Sequence, residues 1–157
     1  HNAAILGTMT TLEDYALSKW DEVLNINLRA PFLLTKTLKS ILEDSTLPRI
    51  IFTSSGVANI GRAFWGAYSV SKFGLKGLAE IFANELETTS SIKVFNFDPG
   101  ATKTKMRSSA RPAEDPNSIK TPHALIDCYL WFFSEESSNS TEKYYEYADL
   151  SKKVTST

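Results

Sequence analysis

Residues 49–56 read Arg49-Ile50-Ile51-Phe52-Thr53-Ser54-Ser55-Gly56. Three apolar residues, β-branched or aromatic, stand between Pro48 and a Ser-Ser-Gly turn, the pattern of a short strand buried on both faces. Such strands belong to parallel sheets covered by helices, and the flanking sequence predicts those helices. Upstream, Trp20, Leu24, Asn27, Pro31, Leu34, Leu38 and Ile41 recur at steps of three and four, one face of an amphipathic helix. That helix is predicted to start near Ser18, with Asp21 completing a capping box, to kink at Pro31, and to end at Asp44-Ser45-Thr46-Leu47-Pro48. Downstream, a loop spaced by Gly56, Gly61 and Gly66 leads into a helix over about 66–88. Residues 92–97 (Ile92-Lys93-Val94-Phe95-Asn96-Phe97) then alternate as a second strand, stopped by Asp98-Pro99-Gly100.

Residues 101–120 are polar, carry Pro112 and Pro116, and read as a long loop or lid. Thr121-Pro122 is a cap followed by a first-turn proline and opens a helix to about Glu136. Residues 134–140 form a turn, 143–147 a final strand, and the tail after Leu150 is predicted to fray. Strand and helix alternate, which predicts an α/β fold with a parallel sheet between helical layers.

The chain has 157 residues, 42% hydrophobic and 22% charged, with 17 Lys+Arg against 18 Asp+Glu and a formal net charge of -1. Near-neutral charge without a dense basic tract argues against nucleic acid as a partner. No apolar run reaches the roughly 20 residues of a membrane span, and the opening does not read as a signal peptide, so a cytoplasmic protein is predicted. The single cysteine, Cys128, sits in an apolar helix and reads as core, which leaves no disulfide and no cysteine-based metal site.

Chemistry is suggested first by Tyr68-Ser69-Val70-Ser71-Lys72. Four residues apart on a helix, phenol and ammonium share one face, heading an apolar row of Leu75, Ala79, Phe82 and Leu86. A cation beside a phenol favours the phenolate and is expected to lower the tyrosine pKa from about 10. Tyr15-Ala16-Leu17-Ser18-Lys19 has the same spacing but no strand before it, and reads as a solvated helix entry. Ser55 stands just past the C-terminal end of the first strand, where open parallel sheets bind ligands, and Asp98-Pro99-Gly100 ends the second strand at the same edge. Asn27 is a polar residue inside an apolar stripe. Burying an unpaired amide costs about 1–3 kcal/mol, so it should bond a neighbouring backbone group. An α/β-hydrolase reading fails, because Ser55 lies in Thr-Ser-Ser-Gly rather than Gly-x-Ser-x-Gly and neither histidine is placed for a triad.

Asn2-Ala3-Ala4, the run from Trp20-Asp21 to Asn27-Leu28, Ser54-Ser55-Gly56, Tyr68 to Lys72, and Pro99-Gly100 occur in the order and spacing of the short-chain dehydrogenase/reductase family, which the chain resembles from residue 1 to about 148. Trp65-Gly66-Ala67-Tyr68, the run from Thr102 to Arg107, and Tyr129-Leu130-Trp131 resemble a little-characterised bacterial branch of oxidoreductases within it. The resemblance implies a NAD(P)-dependent oxidoreductase that interconverts an alcohol and a carbonyl by hydride transfer. Tyr68 would be the general acid/base, Lys72 would hold the nicotinamide ribose and tune Tyr68, Ser55 would bind the substrate oxygen, and Asn27 would anchor a water in a proton relay. Asn2, Ala3 and Ala4 would pass beside the cofactor, and Pro99, Gly100, Thr102 and Thr104 would line the nicotinamide. The segment 101–120 would be a substrate lid, its Lys103, Lys105, Arg107 and Arg111 either solvated or facing phosphate or an acidic substrate.

The family binds pyrophosphate on a glycine-rich turn, and no two of the seven glycines here lie two apart, so that turn is missing from these residues. The expectation is therefore the C-terminal part of a Rossmann-like, doubly wound, three-layer α/β/α sheet lacking its N-terminal strands, with residues 1–150 as its catalytic portion and 151–157 as a tail. The strand at 49–53 would then expose an unpaired edge, making an isolated chain poorly stable or self-associating. The choice between NAD and NADP stays open. A homodimer or homotetramer through helices 18–44 and 66–88 is implied, and the alternative to an enzyme is a catalytically silent fragment that serves as an oligomerising scaffold.

Overall fold

The computed structural model describes residues 1–155. Three parallel strands, β1 (Arg49–Thr53), β2 (Lys93–Asp98) and β3 (Tyr144–Glu146), form one sheet in that order. The register sets Phe52 against Asn96, Thr53 against Phe97, and Asp98 against Glu146. The fold is α/β, as the alternation of elements implies. β1 is an outer strand, and the backbone of His1 meets it: the His1 nitrogen donates to the Ile51 carbonyl at 2.7 Å, and Thr53 N–H donates to the His1 carbonyl at 3.0 Å. An open edge at β1 is the expectation, and beyond these two bonds no strand pairs with the side of β1 facing away from β2 among the described residues.

Alternation along β2 sends its side chains to two unlike layers. On one face Ile50, Phe52 and Val94 pack beneath Leu75, Ala79, Ala83 and Leu86 of α3 (Gly66–Leu86). On the other, Phe95, Phe97 and Tyr145 meet Cys128, Trp131 and Phe132 of α5 (Ile126–Phe132) and Leu150 of α6 (Tyr147–Thr155). Fully burying a side chain of this size contributes roughly 1.5–3 kcal/mol, so the two layers fix where the strand ends lie.

The first long helix differs from its sequence reading. It is split into α1 (Leu17–Leu24), a π turn (Asn25–Arg29) and α2 (Ala30–Glu43). Pro31 has no N–H to offer the carbonyl of Asn27, and the helix widens into the π turn just before it. The extra residue in that turn rotates the buried row onto Val23, Asn27, Pro31 and Thr35, leaving Leu34, Leu38 and Ile41 exposed. No capping box forms at Ser18: the helix begins at Leu17, with Ala16 at the cap and no side-chain bond to it.

Tyr15 is not solvated. It is buried against Val23 and Ala67, its ring meets Trp20 edge-on at 5.6 Å, and its hydroxyl accepts a bond from Thr8 N–H at 3.1 Å. The chain reaches this contact through Gly7 at φ 72, where a side chain would collide with the Tyr15 hydroxyl. Lys19 is exposed and pairs with Glu22, so this tyrosine and lysine part company despite their spacing.

Residues 101–120 are more ordered than a loop. Thr102 bridges Lys120, and α4 (Lys105–Ala110) is capped by Thr104, whose hydroxyl accepts the Arg107 N–H at 3.1 Å. The helix predicted from 121 begins as a 3₁₀ turn (Pro122–Leu125) and continues as α5. The tail does not fray at Leu150: α6 runs to Thr155, and Leu150 and Val154 pack on the aromatic layer. Residues 156 and 157 of the predicted tail lie outside the described residues. Among the described residues, no helix is long and apolar enough to cross a membrane.

Candidate functional site

Tyr68 and Lys72 lie one turn apart on α3, and the helix presents both toward the C-terminal ends of β1 and β2. Both are buried, at 8% and 3% exposure. The Lys72 ammonium lies 5.7 Å from the centre of the Tyr68 ring and donates to the carbonyl of Thr53, the last residue of β1, at 2.7 Å. The start of α3 is fixed by Ser69, whose hydroxyl donates to the Val57 carbonyl at 2.8 Å, and by Ser71, whose hydroxyl donates to the Tyr68 carbonyl at 2.7 Å. Trp65, just ahead of the helix, leans on the Tyr68 ring at 5.8 Å.

These groups open into a cleft of about 820 Å³ at the strand ends. Ser55, Tyr68 and Lys72 line it together, as do Asn2, Ala3 and Ala4 from the start of the chain. The far wall is Pro99, Gly100, Thr102 and Thr104. Gly100 adopts φ 64 and leaves only 3.2 Å between the point where a side chain would begin and the Lys120 ammonium. The positive φ is what favours glycine there, since the Lys120 side chain could yield the few tenths of an ångström a side chain would need. Thr102 donates its hydroxyl to the Gly100 carbonyl at 3.1 Å and so braces the turn. Met106, Arg107 and Ala110 of α4 and Tyr129 and Leu130 of α5 complete a largely apolar wall.

Asn27 stands behind the cleft rather than on it. Its Nδ2 donates to the Ile5 carbonyl at 2.9 Å and to Ser71 Oγ at 3.0 Å, and its Oδ1 accepts the Ile5 N–H at 2.9 Å. The buried amide is thus satisfied by a neighbouring backbone, and it ties the segment after Ala4 to α3.

The electrostatics differ from the sequence reading in one respect. Burial pushes the Tyr68 phenol above its ordinary value; the Ser55 hydroxyl, as a bonding partner, pulls it back, and the Asp98 carboxylate raises it further. The expected lowering by Lys72 is not found: burial disfavours the phenolate, and Lys72, itself brought down to about 8, has lost its proton before the phenol titrates. Burial also brings the Lys72 ammonium down to about 8, opposed by the charge of Asp98. Asp98 is itself raised by burial, with the Gly100 N–H, Lys120 and Lys72 pulling it back.

The basic residues of the lid are partly spent within it. Arg107 forms a two-point ion pair with Glu114, its Nε donating to Oε2 at 2.6 Å, Arg111 lies over the Trp65 ring at 5.8 Å, and Lys103 donates to Asn117 at 3.2 Å. Cys128 is buried, and His123 is exposed. Among the described residues no cluster of three or more His, Cys, Asp or Glu side chains could hold a metal ion.

Three groups of the site were not singled out from sequence. The sequence reading has Asp98 only as the stop of a strand, yet it shares a face with Val94 and Asn96 by the period of two, and that pattern places a carboxylate at the buried end of β2. Thr53 contributes its carbonyl to Lys72 and its hydroxyl to Tyr129 at 3.0 Å. Ser54 lines the cleft with a buried hydroxyl that has no partner. No sequence signal marks Thr53, because its contacts come from Lys72 and Tyr129, far along the chain.

The family model for short chain dehydrogenase matches residues 1–115. An Escherichia coli K12 protein named uncharacterized oxidoreductase YciK is 38% identical over 90% of this chain and 55% of its own length. A Mycobacterium bovis 3-alpha-(or 20-beta)-hydroxysteroid dehydrogenase is 30% identical over the same shares. Among solved structures, a short chain dehydrogenase from Salmonella enterica serovar Typhi superposes with a TM-score of 0.89 at 37% identity, over 94% of this chain and 60% of that one. A Shigella flexneri 2a short chain dehydrogenase complexed with NADP gives 0.89 at 37% identity, over 94% and 61%. The chain spans about half the length of the curated relatives it matches.

Proposed function

The chain belongs to the short chain dehydrogenase family, and from that premise we propose that it carries the catalytic portion of a nicotinamide-dependent oxidoreductase interconverting an alcohol and a carbonyl. The observation that carries this reading is the convergence of Tyr68, Lys72 and Ser55 on one cleft at the ends of two parallel strands. A buried ammonium with one protein acceptor, the Thr53 carbonyl, keeps two N–H donors for a ligand. That donor set suits the two hydroxyls of a nicotinamide ribose, and the Pro99-Gly100 turn, bare of a side chain at Gly100, suits a flat ring laid against backbone. The cofactor, when bound, supplies or accepts the hydride.

The residues of the chain supply the rest. Ser55 donates a hydrogen bond to the substrate oxygen and holds it beside Tyr68. The Tyr68 phenol, kept protonated by burial, gives its proton to the oxygen as an alcohol forms, and takes it back in the reverse direction. Lys72 orients the ribose hydroxyls and remains the next donor behind the phenol. Asn27 holds Ile5 and Ser71 and so supports both walls; in this reading it also anchors a water of a proton relay behind Lys72. The residues described fit the ribose and nicotinamide end of the cofactor. They contain no glycine-spaced turn for pyrophosphate, and the preference between NADPH and NADH is left to measurement.

A homo-oligomeric assembly through α2 and α3 is part of the proposal. Phe32, Leu33, Leu34 and Leu38 of α2 and Val70, Phe73 and Ile81 of α3 are each at least 40% exposed, a concentration of apolar surface that ordinarily marks an interface. The same surface favours the second reading, an oligomerising scaffold without turnover. Titration with NADPH and NADH, followed by Trp65 fluorescence and by cofactor consumption with a panel of aldehydes and ketones, separates the two. Saturable binding with turnover supports the enzyme. The chain alone, lacking the pyrophosphate turn, is expected to be inactive under either reading, so the deciding measurement is on a full-length version: association in sedimentation there without binding or turnover supports the scaffold.

A further inference from the structure

The cleft contains a buried carboxylate to which the reading above gives no task. Asp98 closes β2 at 7% exposure and lines the cleft with Tyr68 and Lys72. Its Oδ1 accepts the Gly100 N–H at 2.8 Å, which pins the carboxylate at the head of the Pro99-Gly100 turn. Its Oδ2 lies 3.6 Å from the point where a side chain on Gly56 would start, so the carboxylate also faces the turn after β1. A carboxylate this buried is retained as a charge only beside a cation. Two are present: Lys72 on α3, and Lys120, which donates to the Ala101 carbonyl at 2.9 Å and lies 4.2 Å from the centre of the Tyr147 ring. The other ionisable groups around it are Tyr68 on α3, and Tyr144 and Glu146 on β3.

We propose that Asp98 is a positioning residue of the acid–base site, the internal counter-charge that keeps the Lys72 ammonium protonated in the desolvated cleft. The inference rests on the catalytic reading of Tyr68 and Lys72. Without a negative neighbour, a lysine as buried as Lys72 sheds its proton and loses the donor that the ribose hydroxyls require. The same negative charge disfavours the phenolate, so Tyr68 stays in the form that donates a proton. Asp98 thereby sets the resting site for carbonyl reduction: the phenol gives the proton and the cofactor the hydride, and an alcohol and the oxidised cofactor leave.

The test is a pH titration of the full chain without cofactor, read by NMR from lysine labelled at Cε and aspartate labelled at Cγ, with the Lys72 signal assigned as the one absent in Lys72→Met. In Asp98→Asn the Lys72 midpoint should fall from about 8 by about one pH unit or more, a tenfold weaker hold on the proton. Reciprocally, Lys72→Met should raise the Asp98 midpoint, because coupling between two sites is mutual. Lys120→Met should leave the Lys72 midpoint in place. An unmoved Lys72 midpoint in a folded Asp98→Asn chain overturns the proposal. Should that variant not fold, an unmoved Asp98 midpoint in Lys72→Met overturns it equally. The measurement needs no cofactor or substrate, so loss of nicotinamide binding or turnover counts against the catalytic reading and not against this one.

Discussion

The two faces of the sheet are built from the same strand and could hardly be less alike. Toward α5 and α6, β2 presents Phe95 and Phe97, which meet Phe132 at 5.1 and 5.4 Å and join Trp131 and Tyr145 in a continuous aromatic layer. Toward α3 it presents Val94, then Asn96, then Asp98, and the apolar packing gives way to buried polar groups before the strand ends. One layer is spent on cohesion. The other accepts desolvated charge and orphaned hydrogen-bonding atoms at the position where chemistry would take place. A stability cost concentrated at one end of one face is the usual mark of a functional site, and the contrast can be broken or sharpened in four ways.

The largest effect should come from Tyr68→Phe, which removes one oxygen and leaves the packing intact. Turnover should fall by about 10²–10⁴-fold with nicotinamide affinity retained, read from steady-state rates and a fluorescence titration. Undiminished rates with a panel of carbonyl substrates would remove Tyr68 from the chemistry. Next is Phe132→Ala on the aromatic face. Phe132 is fully buried, and truncation should cost about 3–5 kcal/mol in urea denaturation while the Lys72 titration in the folded fraction stays where it was.

Lys72→Met should act in the opposite sense on stability. With a folded pKa of about 8 against the ordinary 10.5, the folded chain binds fewer protons than the unfolded one between those values. Stability therefore rises with pH across that window, and the penalty is fully present below it. The shift corresponds to roughly 3 kcal/mol, and leaving Asp98 without its counter-charge should hold the gain at neutral pH below that. A urea midpoint that rises more steeply from pH 7 to pH 10 in the natural chain than in Lys72→Met is the expected pair of results. The smallest effect is Asn96→Leu. Both polar atoms of the Asn96 side chain are buried without a partner, so an apolar side chain of similar size should stabilise by about 1–2 kcal/mol. Destabilisation by Asn96→Leu would show that the amide has an essential partner.

Much of this is legible in the sequence. The strands read at 49–53 and 92–97 lie within one residue of Arg49–Thr53 and Lys93–Asp98. The α3 row of Tyr68, Lys72, Leu75, Ala79, Phe82 and Leu86 follows from helical period, with only Phe82 less than fully buried, and the cleft gathers Ser55 and the Pro99-Gly100 turn as the strand-end argument implies. The α1–α2 region was misread because a period of 3.6 assumes an unbroken helix. A π turn ahead of Pro31 shifts the phase by part of a turn, and no count of apolar spacings registers it. Tyr15 was misread because its burial depends on Gly7 and Gly66, whose bare backbones let the ring in from two distant segments.

From the sequence alone came the local facts: which stretches are strands and helices, which residues share a face, and that phenol, ammonium and hydroxyl meet at one sheet edge. Those follow from backbone geometry, which repeats every two or 3.6 residues. What folding alone decided is the charge state of the site. The pKa of Lys72 and of Tyr68 depends on how completely water is removed and on a carboxylate that is 26 residues from one and 30 from the other. Desolvation is a property of the assembled layers, and no stretch of the chain carries it by itself.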